Sequence, residues 1–295
     1  MRKDLSIIVL SFNTKEVTDK CLSALKKALK YCQTRLKNKI EVIVIDNASS
    51  DGSPQLIRKR YPWVKLIALE ENTGFSKGNN IGMRESKYPF ILLLNSDCFV
   101  TESALYDALN YFEQNPNCGL LGAKLILPNG RVQISNGYLY NPVNIFFWIA
   151  GLPWVAPIHP RKVMDKVSEV GWVMGAFFML RREVFEKTGG FDENIFMYGE
   201  EVEWCKRIRD KGFKIFYVPS VVAKHLDKAS SKADASGPFV KEIRGVMYFT
   251  QKHYKSWYPI VNLIVKIFLV VRIVFFGLRQ DEVRVRAYRS VFNNL

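Results

Sequence analysis

The stretch Phe90–Val100, FILLLNSDCFV, constrains this chain more than any other. The unbroken apolar run Phe90 to Leu94 reads as a strand buried on both faces, the kind found inside α/β sheets. Asn95, Ser96 and Asp97 follow at once. Polar residues just past the carboxyl end of a buried strand stand where open α/β sheets bind their ligands. Asp97 is a hard oxygen ligand, suited to a divalent cation shared with substrate phosphates. A second reading makes the same three residues a turn that caps the following helix, TESALYDALNYFEQ, a role also open to Thr101 or Ser103.

The preceding chain repeats the pattern. Leu5–Leu10 is a buried strand left through Ser11 and Asn13, and Val17, Cys21, Leu22, Leu25 and Leu29 give residues 14–37 a helical apolar side. Glu41–Ile45 is a second strand, ending in the turn-rich run from Asp46 to Ser53, and Pro54 to Arg60 is its helix. Val64–Leu69 is a third strand, followed by a polar, Gly-rich loop over residues 70–82. Such β-loop-α alternation implies parallel strands with right-handed crossovers. Leu120–Leu127 and Arg131–Ser135 flank Pro128-Asn129-Gly130 as a hairpin. Gly171–Leu180 reads as one strand with Gly175 inside it, where a ligand or backbone approaches closely. Residues 181–188 are a short helix, 198–211 an amphipathic helix carrying Glu200, Glu201 and Glu203, and 214–218 a last strand with His225 shortly after it.

Asp46 ends its strand as Asp97 does, and a carboxylate there can accept from the imide N–H of uracil or thymine. An Asx turn is the alternative, with Asp51 the better candidate for it. Asn72, Gly74, Phe75, Gly78 and Asn79 lie in a loop able to follow a sugar-nucleotide backbone, but neither GxxxxGK[ST] nor GxGxxG occurs. The three glutamates of residues 200–203 also fit a solvated helix face paired with Lys206 and Arg207.

The net charge of +15 calls for an anionic partner: nucleic acid, nucleotide phosphates or an anionic membrane. Nucleic acid is disfavoured, because the basic residues are spread along the chain and no nucleic-acid motif accompanies them. The five cysteines show no CxxC pair, which argues for reduced thiols in a cytosolic compartment. The N-terminus, MRKDLSIIVLSFN, has too short an apolar run for a signal peptide and reads as the first strand.

In order, SIIVLSFN, VIVIDNASSDGS, ENTGFSKGNNIG, LLLNSD, GWVMGAFFMLRREVFEKTGGFDE and FMYGEEVEWCKRIRDKG closely resemble the family-2 glycosyltransferases, nearest to the bacterial rhamnosyltransferase-like members. The resemblance covers roughly residues 4–230 and implies a GT-A fold: a Rossmann-like, mostly parallel α/β sheet with flanking helices. It implies a nucleotide-sugar part over about 1–125 and an acceptor part over about 126–230. It also implies transfer with inversion from a dTDP- or UDP-sugar, with dTDP-rhamnose the nearer donor, to a lipid-linked or polysaccharide hydroxyl. Asn95-Ser96-Asp97 takes the place of the family's DxD motif, so Asp97 would hold Mg²⁺ or Mn²⁺, and His225 falls where some members place a further metal ligand. Ser11, Asn13, Asp46, Asn72, Gly74, Phe75, Gly78, Asn79, Asn95, Ser96, Trp172, Gly175 and Ala176 fall on donor-binding positions. Glu200-Glu201 matches the "ED" pair, which makes Glu201 the general base. Asn95 and Glu201 depart from the commonest pattern, and a catalytically inactive sugar-binding scaffold is the competing reading.

Residues 231–295 form a C-terminal extension. Trp257–Leu278 is long enough to span a bilayer, but Asn262, Lys266 and Arg272 interrupt it. With basic residues around it, the segment reads as a helix lying in an anionic membrane interface. That would make the protein cytoplasmic and peripheral on the inner face of the plasma membrane. A true span, or a helix packed on the catalytic domain or on a second subunit in a homodimer, are the alternatives.

Overall fold

The computed structural model describes residues 3–149, 152, 155–156, 158, 165–226 and 237–293. The first half alternates as expected: β1 (Leu5–Ser11), α1 (Lys15–Leu36), β2 (Ile40–Asp46), α2 (Ser53–Arg60), β3 (Lys65–Ala68), α3 (Gly74–Glu85) and β4 (Phe90–Asn95). Next come β5 (Cys98–Val100), α4 (Ala104–Gln114), β6 (Cys118–Ile126), β7 (Val132–Gln133), β8 (Asn136–Gly137) and α5 (Pro142–Ile149). Then follow β9 (Ser168–Glu169), β10 (Trp172–Val173), β11 (Phe177–Arg181), α6 (Arg182–Thr188), α7 (Glu200–Asp210) and β12 (Lys214–His225). The chain closes with α8 (Gly237–His253), α9 (Tyr258–Leu278) and α10 (Glu282–Phe292).

The main sheet runs β3-β2-β1-β4-β11-β6-β12-β5, with β7 on β6 and β9 on β12. Strands β1 to β4 are mutually parallel, β11 lies antiparallel between β4 and β6, and β6 is parallel to β12. The result is a mixed, mostly parallel GT-A sheet. Its strands read as continuous apolar runs because each feeds two cores. On β1, Ile7 and Val9 join Cys21, Leu22 and Leu25 of α1 and Leu105 and Leu109 of α4. Ile8 points the other way, into a core shared with Met83 of α3, Trp204 of α7, Phe249 of α8 and Val265 of α9.

Four sequence expectations change. The polar stretch 70–82 is loop only as far as Thr73: α3 begins at Gly74, so Gly74, Phe75, Gly78 and Asn79 stand on a helix. The apolar run 171–180 is two strands, not one: β10 pairs with β8 in a separate small sheet, and β11 enters the main sheet. The last strand does not stop at Val218. A register shift between Val218 and Val222 absorbs Pro219, and β12 continues to His225. The turn at Asn95–Asp97 does not cap a helix, because β5 intervenes and α4 begins only at Ala104. The hairpin at 128–130 is present as β6 and β7, closed by Gly130 N–H donating to the Leu127 carbonyl. Parts of the apolar stretch 141–160 lie outside the described residues; within it, 142–149 is helical.

The C-terminal helices pack on this body through a charged network. Glu203, fully buried, receives Arg207 at 2.7 Å, Lys252 at 2.8 Å and His253 at 3.0 Å. Lys252 also reaches Asp192 at 2.6 Å, where Tyr248 donates its hydroxyl. All five cysteines are buried and free, as their spacing implied.

Candidate active site

Strand order reverses beside β1, which has β2 on one side and β4 on the other. A crevice opens at the carboxyl ends of strands at such a switch point. Register places Ser11 opposite Asp46, and Leu10 opposite Asn95. A cavity there is lined by Leu10, Phe12, Asn47, Phe75, Asp97 and Phe196, among others. Of the sequence candidates, Asn72, Gly74, Phe75, Asn95, Ser96 and Asp97 line it.

The other candidates stand behind that lining. The Ser11 hydroxyl lies 2.9 Å from Thr18 and 3.2 Å from Thr14, and Thr14 lies 3.1 Å from the Ser96 hydroxyl. This buried hydroxyl cluster ties the end of β1 to the β4 turn. Asn13, at φ 50°, accepts from Ser50 N–H through its side chain and so clamps the loop after β2. Asp46 is 1% exposed; one oxygen accepts from Ser49 N–H at 2.9 Å and the other has no partner among the described residues. A buried acceptor without a donor is costly, and an imide N–H would satisfy it. Gly78 packs under Leu10, and Asn79 donates to the Phe75 carbonyl, so both shape α3 from inside. Trp172 is buried at the small sheet, against Gly137.

Asn47 and Phe196 were not singled out from the sequence. Asn47 accepts from Thr73 N–H and donates to Asn72 and to the Gly74 carbonyl, holding the 70–75 loop against the cavity. Gly74 has φ +80°, and a Cβ there would lie 2.6 Å from the Phe196 ring. Only glycine fits that backbone and that contact. Nothing in the sequence links Phe196 to this loop; the adjacency of Asn47 to Asp46 was the one available signal.

Strand pairing brings the metal candidates together. β12 lies antiparallel to β5 with His225 opposite Cys98, which sets His225 beside Asp97. His225 Nε2 is 3.3 Å from Asp97 Oδ1, and its Nδ1 is 2.8 Å from the Gln133 side-chain oxygen. Neighbouring ligands of an octahedral ion with ~2.1 Å bonds stand about 3 Å apart, so this pair fits Mg²⁺ or Mn²⁺. Gln133 on the far nitrogen orients the ring, as partners of metal-bound imidazoles do. Among the described residues no third carboxylate, thiol or imidazole joins them, which leaves positions for phosphate and water.

Glu200 and Glu201 open α7, after Gly199 at φ +96°. They are not a solvated face: Glu200 is 4% exposed, and neither carboxylate has a cationic partner among the described residues. Burial, followed by the Glu201 charge beside it, pushes Glu200 well above the usual carboxylate range. Burial raises Glu201 too, opposed by its own amide, by the Glu200 carboxyl and by the amides of Gly175 and Gly199. Burial and the charge of its neighbour thus make Glu200 the harder of the two to ionise. Gly175 also touches the Phe75 ring, and Ala176 beside it accepts from Asn95 N–H at 3.1 Å. One short segment thus connects Glu201, through the Gly175 amide, to Phe75 and Asn95, which line the cavity; Glu201 itself stands behind that lining.

Comparison with known proteins agrees with this architecture. The sequence pattern described as glycosyl transferase family 2 matches residues 6–189. The chain is 26% identical over 237 residues to an N-acetylglucosaminyl-diphospho-decaprenol L-rhamnosyltransferase of Mycobacterium tuberculosis, spanning 74% of this chain and 77% of that protein. Its fold is similar to that of the Pyrobaculum calidifontis mannosyltransferase PcManGT in complex with GDP-Man and Mn²⁺, with TM-score 0.57 and 15% identity over 97% of this chain and 73% of that one. GalNAc-T7 with UDP, GalNAc and Mn²⁺ superposes with TM-score 0.60 and 16% identity, over 86% of this chain and 49% of its own. The chain belongs to glycosyl transferase family 2.

Proposed function

We propose that the protein is an inverting glycosyltransferase that moves L-rhamnose from dTDP-rhamnose to a hydroxyl of a lipid-diphosphate-linked sugar in cell-surface glycan synthesis. The observation that carries this reading is the Asp97–His225 pair, 3.3 Å apart at the edge of the switch-point cavity. The rhamnosyl group and the lipid-linked acceptor are taken from the Mycobacterium relative, whose name states both. Asp46 offers its unpartnered oxygen to the pyrimidine imide, and Asn95 and Ser96 line the diphosphate end. Asp97 and His225 would hold Mg²⁺ or Mn²⁺, which neutralises charge on the departing diphosphate. Glu201 takes the proton of the acceptor hydroxyl as that oxygen attacks the anomeric carbon from the face opposite the leaving group. A single displacement inverts the centre and needs no enzyme nucleophile. The orphan oxygen of Asp46 accepts equally from uracil, so a UDP-hexose is the second donor reading.

A thermal-shift series tests the donor site. dTDP and dTDP-rhamnose are expected to raise the melting temperature with Mn²⁺ and much less without it, since a ligand bound only to the native state stabilises it by mass action. Asp97→Asn should abolish the metal-dependent part. A shift that ignores Mn²⁺, or survives in Asp97→Asn, removes the metal role.

The same proposal assigns residues 1–230 to catalysis and gives the extension 231–295 a membrane-facing surface through α9. α9 is 21 residues long and apolar, with mean hydropathy 2.4 in its central window. Val261, Val265 and Leu269 are buried against the body, whereas Leu263, Ile267 and Val271 are each about 60% exposed. A helix with one face on protein and an apolar outer face suits the plane of a bilayer. Ile267→Glu/Val271→Glu is expected to fold normally and lose co-sedimentation with phosphatidylserine vesicles. Unchanged sedimentation would remove the membrane assignment.

A further inference from the structure

α8 crosses the start of α7 closely enough that Gly245 leaves no room for a side chain: a Cβ there would stand 2.5 Å from the Tyr198 carbonyl oxygen and 3.3 Å from the Gly199 Cα. Residues three apart on a helix share a face. Glu242, one turn before Gly245, is therefore directed at the first turn of α7, where Glu200 and Glu201 sit. Its carboxylate is half-buried, and no basic side chain is paired with it among the described residues. It lies within electrostatic reach of Glu201, and both lie within reach of the buried Tyr140 hydroxyl. Burial, then the Glu201 charge, raises Glu242 to about 7. One oxygen each of Glu200 and Glu201 is also buried without a partner among the described residues. The groups facing Glu242 are thus Glu201 from α7 and Tyr140 from the chain before α5. None of these is a cation. Two carboxylates held this close, one of them with a buried oxygen lacking a donor, are costly unless a ligand supplies hydrogen-bond donors.

We propose that Glu242, together with Glu201, forms the acceptor site, and that this site takes an uncharged polyhydroxyl sugar whose hydroxyls donate to the two carboxylates. The proposal rests on the glycosyltransferase reading above. It adds a residue from outside the stretch matched by the family pattern, and it sets a charge rule for the acceptor. Glu201 receives the attacking hydroxyl, and Glu242 receives a neighbouring one. A uronate or phosphate at either place would meet like charge at close range and be refused. Glu242 also acts on Glu201 as a positioning residue, because its negative charge keeps the proton affinity of Glu201 high.

Glu242→Gln tests this, with farnesyl-diphosphate-linked N-acetylglucosamine as the probe acceptor. Acceptor KM should rise about tenfold or more, as expected when a charged hydrogen-bond partner is lost. Donor KM and the Mn²⁺-dependent thermal shift should stay unchanged. The acid limb of kcat/KM should move to lower pH, because a like charge beside Glu201 has gone. The melting temperature should not fall, since the change relieves repulsion; a merely structural Glu242 would lower it and leave the pH limb in place. An unchanged acceptor KM and pH profile in an otherwise active enzyme overturns the Glu242 assignment and leaves the transferase reading standing. Absence of both nucleotide shift and turnover in the unaltered protein overturns both.

Discussion

Glu201→Gln is expected to lower turnover by about 10²–10⁴-fold, the range a general base contributes, while nucleotide binding survives. Glutamine has the same shape and keeps an oxygen for the amides of Gly175 and Gly199, which hold this side chain in place. What it cannot do is take a proton. Loss of activity with an intact Mn²⁺-dependent thermal shift would separate the chemical role from folding and from donor binding. The pair it belongs to sharpens the expectation. Burial and the neighbouring Glu201 charge make Glu200 the harder of the two to ionise. Glu200→Gln leaves Glu201 free to take a proton and should retain far more activity than Glu201→Gln. Equal losses would mean that the two residues act as one unit, and turnover surviving in Glu201→Gln would remove Glu201 from the reaction.

The second large effect concerns stability. Glu203→Gln should cost about 3–5 kcal/mol at neutral pH, the usual result of leaving buried charges without their partner. Arg207, Lys252 and His253 all converge on Glu203, whose side chain is 0% exposed. Burial alone would raise this carboxyl, but hydrogen bonds from His253 and Arg207 and the Arg207 charge outweigh it and bring Glu203 to about 2, against 4.5 unperturbed. A carboxylate with a depressed native pKa contributes stability that is complete above its unfolded value and lost as pH falls toward the native one. The gap between the unaltered protein and Glu203→Gln should therefore be full at pH 7 and shrink from about pH 4.5 downward. Denaturant unfolding at a series of pH values measures it. A gap that stays constant to pH 3 would show that the network does not contribute through the Glu203 charge.

Much of the fold was legible because the sheet is buried on both sides. Ile7, Ile8 and Val9 must all be apolar when alternate residues serve different cores, so β1, β2 and β4 stand out as unbroken runs with polar residues where they end. The same signal failed over Gly171–Leu180, because an apolar run does not reveal where a strand leaves one sheet for another. Pro219 hid the second half of β12, since a proline normally ends a central strand and only the register shift shows that this one does not. In the site, Asp97 and Glu201 were readable from local context and motif order. Gln133, Asn47, Phe196 and Glu242 were not. Each is defined by what it meets across the fold, and none carries a local pattern that announces the meeting. Ser11 and Asn13 at the end of β1, and Gly78 within α3, brace the cavity from behind through their side chains or close contacts.

His225 and Asp97 are neighbours only while β12 stays paired with β5, a three-residue strand at the rim of the sheet. What holds these two residues together is the packing under β5, where Cys98 and Val100 are buried in the core shared with α1 and α4, so a substitution at either would act on the pair at a distance.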